Sequence, residues 1–185
     1  KLPLCERQKI LNDIVYRIVT NQDDRSARDN NAIARIANSD LATDVLRLIH
    51  EYYNNDEAIF FLGRLVWQGA MTNCLGLLMT ISLDSSRGKY ARVACTRAVI
   101  ICGDVELKQT LWQKFNDAND LILRELLIEI VNGVELSTFS VEQLLLSIKK
   151  IEPNNQFKPT DLEDVLHKFV AKLSVNVNQT AIIQF

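Results

Sequence analysis

Residues 91–104 read ARVACTRAVIICGD. Ala91, Ala94, Cys95 and Ala98 recur at three- and four-residue intervals, the spacing that gathers side chains on one face of an α-helix. A face of such small side chains lets a second helix backbone approach closely. Val99 and Cys102 continue the apolar side, and Gly103-Asp104 ends it. Gly suits a left-handed residue just past a helix end, and Asp suits the cap of the next helix. The turn before it, Asp84-Ser85-Ser86-Arg87-Gly88, is rich in turn formers. Leu75 to Asp84 then supplies the antiparallel partner of a helical hairpin.

Working outward, apolar residues at helical spacing predict nine further helices. The first covers Glu6–Thr20, with Ile10, Ile14, Val15 and Ile18 on one side. A polar loop, Asn21 to Arg28, and a short helix over Asp29–Ala37 follow. Asn38-Ser39-Asp40 and Asn54-Asn55-Asp56 supply caps for helices over Leu41–Tyr53 and Glu57–Gln68. Met71–Leu83 precedes the central stretch. Beyond it lie a helix from the Asp104 cap to Phe115, then Asp120–Asn132, Val141–Ile151 and Asp161–Leu173. Ser140 with Gln143, and Thr160 with Glu163, have the spacing of capping boxes, and Phe139 and Leu144 that of a hydrophobic staple. Gly69, Gly103 and Gly133 each follow an apolar helix, 34 and 30 residues apart. A hairpin recurring at that period is the signature of a solenoid. The expected fold is therefore all-α, an α-solenoid of stacked antiparallel helical hairpins. Residues 1–38 form an N-terminal helical segment, 39–133 the repeats, and 134–185 a C-terminal helical segment. The pattern of its tail, Ser174 to Phe185, supports no assignment.

The run 91–104 resembles the second helix of a HEAT repeat. Arg92 stands near its start, the small set Ala91, Ala94, Cys95 and Ala98 faces the partner helix, and Gly103-Asp104 closes it. A narrower resemblance joins RLVWQGAMTNCLGLLMTISLD, YARVACTRAVIICGD and TLW. These are similar to the helical regions that follow the NTPase module in bacterial STAND (NACHT-type) proteins. Arg64, Trp67, Gly69, Cys74, Asp84, Tyr90, Arg92, Arg97, Gly103, Asp104 and Trp112 carry it. Some STAND proteins are antiviral sensors whose solenoids bind viral proteins. The resemblance implies a ligand-sensing or regulatory arm, with the NTPase outside these residues.

Composition agrees with a folded chain: 48% hydrophobic and 24% charged, with six Gly and three Pro, too apolar for intrinsic disorder. Lys1 in place of Met, with no signal-peptide pattern behind it, reads as an excised fragment. No apolar run is long enough to span a membrane. Cys5, Cys74, Cys95 and Cys102 form no CxxC, and Cys95 and Cys102 share a helix face as packing residues, which points to a reducing, cytoplasmic compartment. Net charge is −2. Residues 55–103 hold five Lys/Arg (Arg64, Arg87, Lys89, Arg92, Arg97) against three acids, whereas 104–185 hold eight against twelve. So mild a basic region disfavours nucleic acid.

Catalytic patterns are missing. Gly88-Lys89 is followed by Tyr90 where a P-loop needs Ser or Thr. His50 and His167 lie far apart, with no cysteine pair to complete a zinc site. Asp161, Glu163 and Asp164 sit in a first helical turn, where the helix dipole accounts for them. No enzyme, metal or cofactor is expected. The expected partner is a protein or another domain of the parent chain. It would meet an inner groove on Glu57–Gln68, Lys89–Cys102 and Asp120–Asn132. Arg64, Trp67, Gln68, Arg97, Arg124 and Glu129 are the candidate protein-binding residues, Trp and Arg being the best anchors. A cut solenoid end predicts self-association. Two other readings stand beside this one: a HEAT-type nucleic-acid binder or DNA-repair-like enzyme, and a structural spacer.

Overall fold

The structure is a computed structural model and describes residues 2–22, 30–153 and 161–176. Among these residues the apolar periodicity becomes ten α-helices and no strand. They are α1 (Leu4–Val19), α2 (Asn30–Ile36), α3 (Ala42–Glu51), α4 (Asp56–Gly69) and α5 (Leu75–Leu83), then α6 (Lys89–Cys102), α7 (Val105–Asp117), α8 (Arg124–Gly133), α9 (Thr138–Lys149) and α10 (Leu162–Asn176). The chain is all-α. Most of the loop predicted from Asn21, the Thr160 cap and the end of the tail fall outside the described residues. Chain contacts divide into two compact units, residues 1–103 and 104–185.

In the first unit α4 is the central helix. It packs against α1, α2, α3 and α6, and α6 packs in turn on α5. Ile59, Phe61, Leu62, Leu65 and Val66 of α4 are fully buried. The small face of α6 serves the expected purpose: Ala91, Ala94, Cys95 and Ala98 are all buried. Opposite them stands Gly63 of α4, where a Cβ would lie 3.2 Å from Ala94 Cβ and 3.3–3.4 Å from the backbone of Ala94 and Cys95. The α5–α6 seam holds a buried hydroxyl pair, Ser82 and Thr96, at 2.7 Å, and the Arg92 Nε–H donates to the Ser82 carbonyl at 3.0 Å.

The hydrogen bonds that tie one helix pair to the next have a shared spacing. Arg7 donates to Asp40 through both terminal nitrogens, 33 residues away. Arg64 reaches Asn30 over 34 residues. The Gly88 amide donates to Asp56 over 32, Arg87 to the Tyr53 carbonyl over 34, and the Cys102 thiol to the Trp67 carbonyl over 35. In the second unit Trp112 and Ser147 are 35 apart.

That second unit pairs α7 with α9 and α8 with α10. Trp112 of α7 is fully buried and donates its indole N–H to Ser147 Oγ at 2.8 Å. Ser147 Oγ in turn donates to Asn116 Oδ1 at 2.8 Å. Lys150 Nζ donates to the carbonyls of Asn116, at 2.7 Å, and Ala118. A cation thus sits where the C-terminal end of α7 is electronegative.

Three local expectations are corrected. None of the three closing glycines takes a left-handed φ; among the described residues Ala70 takes that conformation after α4, with φ 51°. Gly69 is required for another reason, since a Cβ there would come within 2.5 Å of Met71 Cε and 3.0 Å of the Asn38 nitrogen. The cap of α9 is Ser137, not Ser140. The Ser137 side chain accepts from the Ser140 amide and Ser140 Oγ accepts from the Ser137 amide, a capping box built with Ser at its third helical position. Helix α8 begins at Arg124 rather than Asp120. Ile122 instead forms an isolated parallel bridge with Ile151, its amide donating to the Lys150 carbonyl and its carbonyl accepting from the Glu152 amide. The same bridge ends α9 short of Ile151.

Candidate functional site

Phe60, Arg64 and Trp67 are spaced by four and three residues and so share one face of α4. Val93 and Arg97 do the same on α6, with Ala94 beside them. Together with Asn30 of α2 they line a recess of about 230 Å³. It therefore draws on α2, α4 and α6, every second helix of the first unit. The opposite side of α4 is core, which leaves this face half-buried among the described residues.

Two cations are set against two rings. The Arg64 guanidinium carbon lies 5.2 Å from the Phe60 centroid, and that of Arg97 lies 5.9 Å from the Trp67 ring. Both distances fall within cation–π range. Arg64 Nη2 donates to Asn30 Oδ1 at 2.7 Å, and Gln68 Nε2 reaches the same oxygen at 3.3 Å. Phe60 also meets Tyr90, with centroids 5.9 Å apart, and Tyr90 is 65% exposed. The recess carries no carboxylate among its described lining residues. Two buried polar atoms of α4, Nε1 of the lining residue Trp67 and Oε1 of its neighbour Gln68, have no hydrogen-bond partner.

Of the candidate residues read from the sequence, Arg64, Trp67 and Arg97 come together in this recess, and Gln68 joins through Asn30. Arg124 and Glu129 belong to the second unit. There Arg124 donates to the Glu152 carbonyl at 3.4 Å and pairs with Glu163 at 3.3 Å. Phe60 was legible as a site residue from its spacing to Arg64 and Trp67. Asn30 carries no sequence signal, because only tertiary contact brings α2 to α4.

Not every cation of the basic middle faces outward. The Arg87 side chain is 8% exposed, stands 2.8 Å from Asp56 Oδ1 and lies over the Tyr53 ring. Arg92 is 5% exposed. His50 and His167 are each exposed on separate helices. No group of three metal-ligating side chains converges among the described residues, and no helix there is long and apolar enough to cross a membrane. Burial pushes the Cys74 thiol up to about 11 and that of Cys95 upward as well, the reverse of what activates a thiolate nucleophile. Compared with protein-family models, curated proteins and solved structures, the chain matches none.

Proposed function

We propose that this chain is a non-catalytic interaction segment, an α-solenoid of HEAT-like hairpins whose second helices present the binding face. The recess that spans α2, α4 and α6 carries this reading, since it gathers two guanidinium groups, two aromatic rings and a buried indole N–H on one layer. Arg, Trp and Tyr at the centre of a pocket are the side chains that dominate protein–protein binding energies.

Packing supports the solenoid. Second helices contact second helices, α2 with α4 and α4 with α6, and in the other unit α8 with α10, while α7 contacts α9. Hydrogen bonds between successive pairs span about one repeat, 32 to 35 residues. A chain in which each hairpin touches the next at a fixed sequence offset is the repeat architecture in physical terms. In a parent of the STAND type, this face would sense a protein ligand and shift the NTPase between states; the resemblance around 64–112 supports that assignment. A nucleic-acid role is weaker, because Arg87 and Arg92 are committed to internal acceptors, which lowers the cationic charge available to phosphates.

The test is a selection of a random peptide library on the intact protein, with Trp67→Ala as counter-target. Enriched peptides that lose binding to Trp67→Ala support the reading. A pool indistinguishable from the unselected library would return the chain to a structural spacer. A short DNA duplex, followed by anisotropy at low salt, should show no binding.

A further inference from the structure

We infer that α9 carries a self-association surface, through which two copies of this chain pair with their α9 helices antiparallel. The inference is independent of the recess on α4 and α6, since it uses side chains of α9 alone.

The first argument is where the apolar residues of this helix lie. An amphipathic helix turns its apolar stripe to the core. Helix α9 instead buries two serines, Ser140 and Ser147, together with Leu144. Ser140 closes the cap with Ser137, and Ser147 accepts from Trp112 of α7. Among the apolar residues from Val141 to Ile148, Leu144 alone is buried; Leu145, Leu146 and Ile148 are between 41% and 46% exposed. Val141, Leu145 and Ile148 are separated by four and three residues, so they form one stripe along the helix. That is the d–a–d spacing of a helix-pairing seam. An apolar stripe left on the outside marks an interaction site.

The second argument is charge, and it selects the occupant. With Leu145 at a and Val141 and Ile148 at d, both Glu142 and Lys149 fall at e, on the same flank of the stripe. Both are exposed, and neither has an ion pair among the described residues. A parallel pair sets e against g, which here is Ser137 or Leu144, and gains nothing from either charge. An antiparallel pair sets e against e. A two-fold axis crossing the stripe between Leu145 and Ile148 places Leu145 of each copy against Ile148 of the other. The same axis brings Glu142 of each copy within reach of Lys149 of the other. The flank is thus its own complement, as a contact between identical copies requires.

Length sets the strength. Helix α9 has 12 residues and is about 18 Å long. One such helix pair falls short of the roughly 800 Å² per partner of a stable interface, so the expected Kd is on the order of 100 μM.

The experiment is sedimentation equilibrium of the intact protein at low salt, from about 10 μM to 1 mM, a range that brackets this Kd. Two variants, Glu142→Lys and Lys149→Glu, change exposed positions only, and circular dichroism checks their fold. The wild type is expected to show a monomer–dimer equilibrium. Each variant alone turns two attractive pairs into repulsive ones and should weaken it by about tenfold or more. An equimolar mixture of the two variants restores both attractive pairs and should dimerise about as well as the wild type. A monomer at every concentration would overturn the proposal and assign the stripe to a helix of another protein or of the parent chain. A dimer that Leu145→Glu leaves intact would place the contact on another surface. A dimer that Leu145→Glu abolishes, but that neither charge variant weakens and mixing does not strengthen, would overturn the antiparallel register.

Discussion

Gly63 and Gly76 offer the same substitution with opposite expected signs. Both lie within helices, α4 and α5. In each, Gly→Ala removes backbone freedom from the unfolded chain and is worth about 0.5–1 kcal/mol in favour of the fold. At Gly76, on the surface, a Cβ meets nothing within 4 Å, so the gain should appear undiminished. At Gly63 the new methyl would lie 3.2 Å from Ala94 Cβ and 3.3 Å from the Ala94 carbonyl carbon. Neither is the end of a flexible side chain, so α6 itself must shift. Overpacking of this kind costs about 1–3 kcal/mol. The net for Gly63→Ala is then a loss of about 1 kcal/mol, or about 2–4 °C in Tm for a chain of this size. Gly63→Val adds two further methyl groups at the same seam and should lose about 3 kcal/mol. Removing the opposing Cβ with Ala94→Gly should relieve Gly63→Ala, giving a favourable coupling of about 0.5–1 kcal/mol in a double-mutant cycle. Urea unfolding followed by circular dichroism measures all of these. If Gly63→Ala raises the midpoint as much as Gly76→Ala, the close approach of α4 and α6 is wrong.

Three other outcomes follow from the structure. The Ser86 hydroxyl and amide, at 2.6 and 3.0 Å from Asp84 Oδ1, hold that carboxyl below the usual carboxylate range. Its folded pKa is therefore lower than its unfolded one, so its stabilisation is complete above the unfolded value and disappears as pH falls through the folded value. The urea midpoint of the wild type should exceed that of Asp84→Asn near neutrality and converge with it in acid; a constant gap across the titration would contradict this. At about pH 8, near the ordinary thiol pKa, iodoacetamide should label the exposed Cys5 in the native protein and spare Cys74 and Cys95 until urea is added. Peptide mass mapping shows which thiol reacts, and native labelling of Cys95 would contradict its burial. Leu145 and Ile148 of α9 are 41% and 45% exposed, and Val170 of α10 is 58% exposed. Sedimentation should show concentration-dependent self-association that Leu145→Glu with Ile148→Glu abolishes; a monomer at every concentration would refute it.

The ten helices were legible in the sequence, because the three- and four-residue rhythm of apolar side chains is a local property of the chain. So was the small face of α6, and so was the presence of Arg64, Trp67 and Arg97 at half-buried helix positions. Gly63 was not, since its role depends on meeting Ala94 across 31 residues of chain. The arginines divide in the same way. Arg64, Arg87, Arg92 and Arg97 look alike in sequence, yet Arg87 and Arg92 turn inward because Asp56 and the Ser82 carbonyl wait for them there. The start of α8 was decided by Ile122 pairing with Ile151, and the left-handed turn after α4 falls on Ala70, while Gly69 stays helical and leaves the space that Met71 and Asn38 fill. The sequence by itself determined which segments are helical and which side of each is apolar, a matter of near neighbours. Tertiary structure alone decided which polar side chains turn inward and which meet at the recess, because the groups they meet lie about one repeat away.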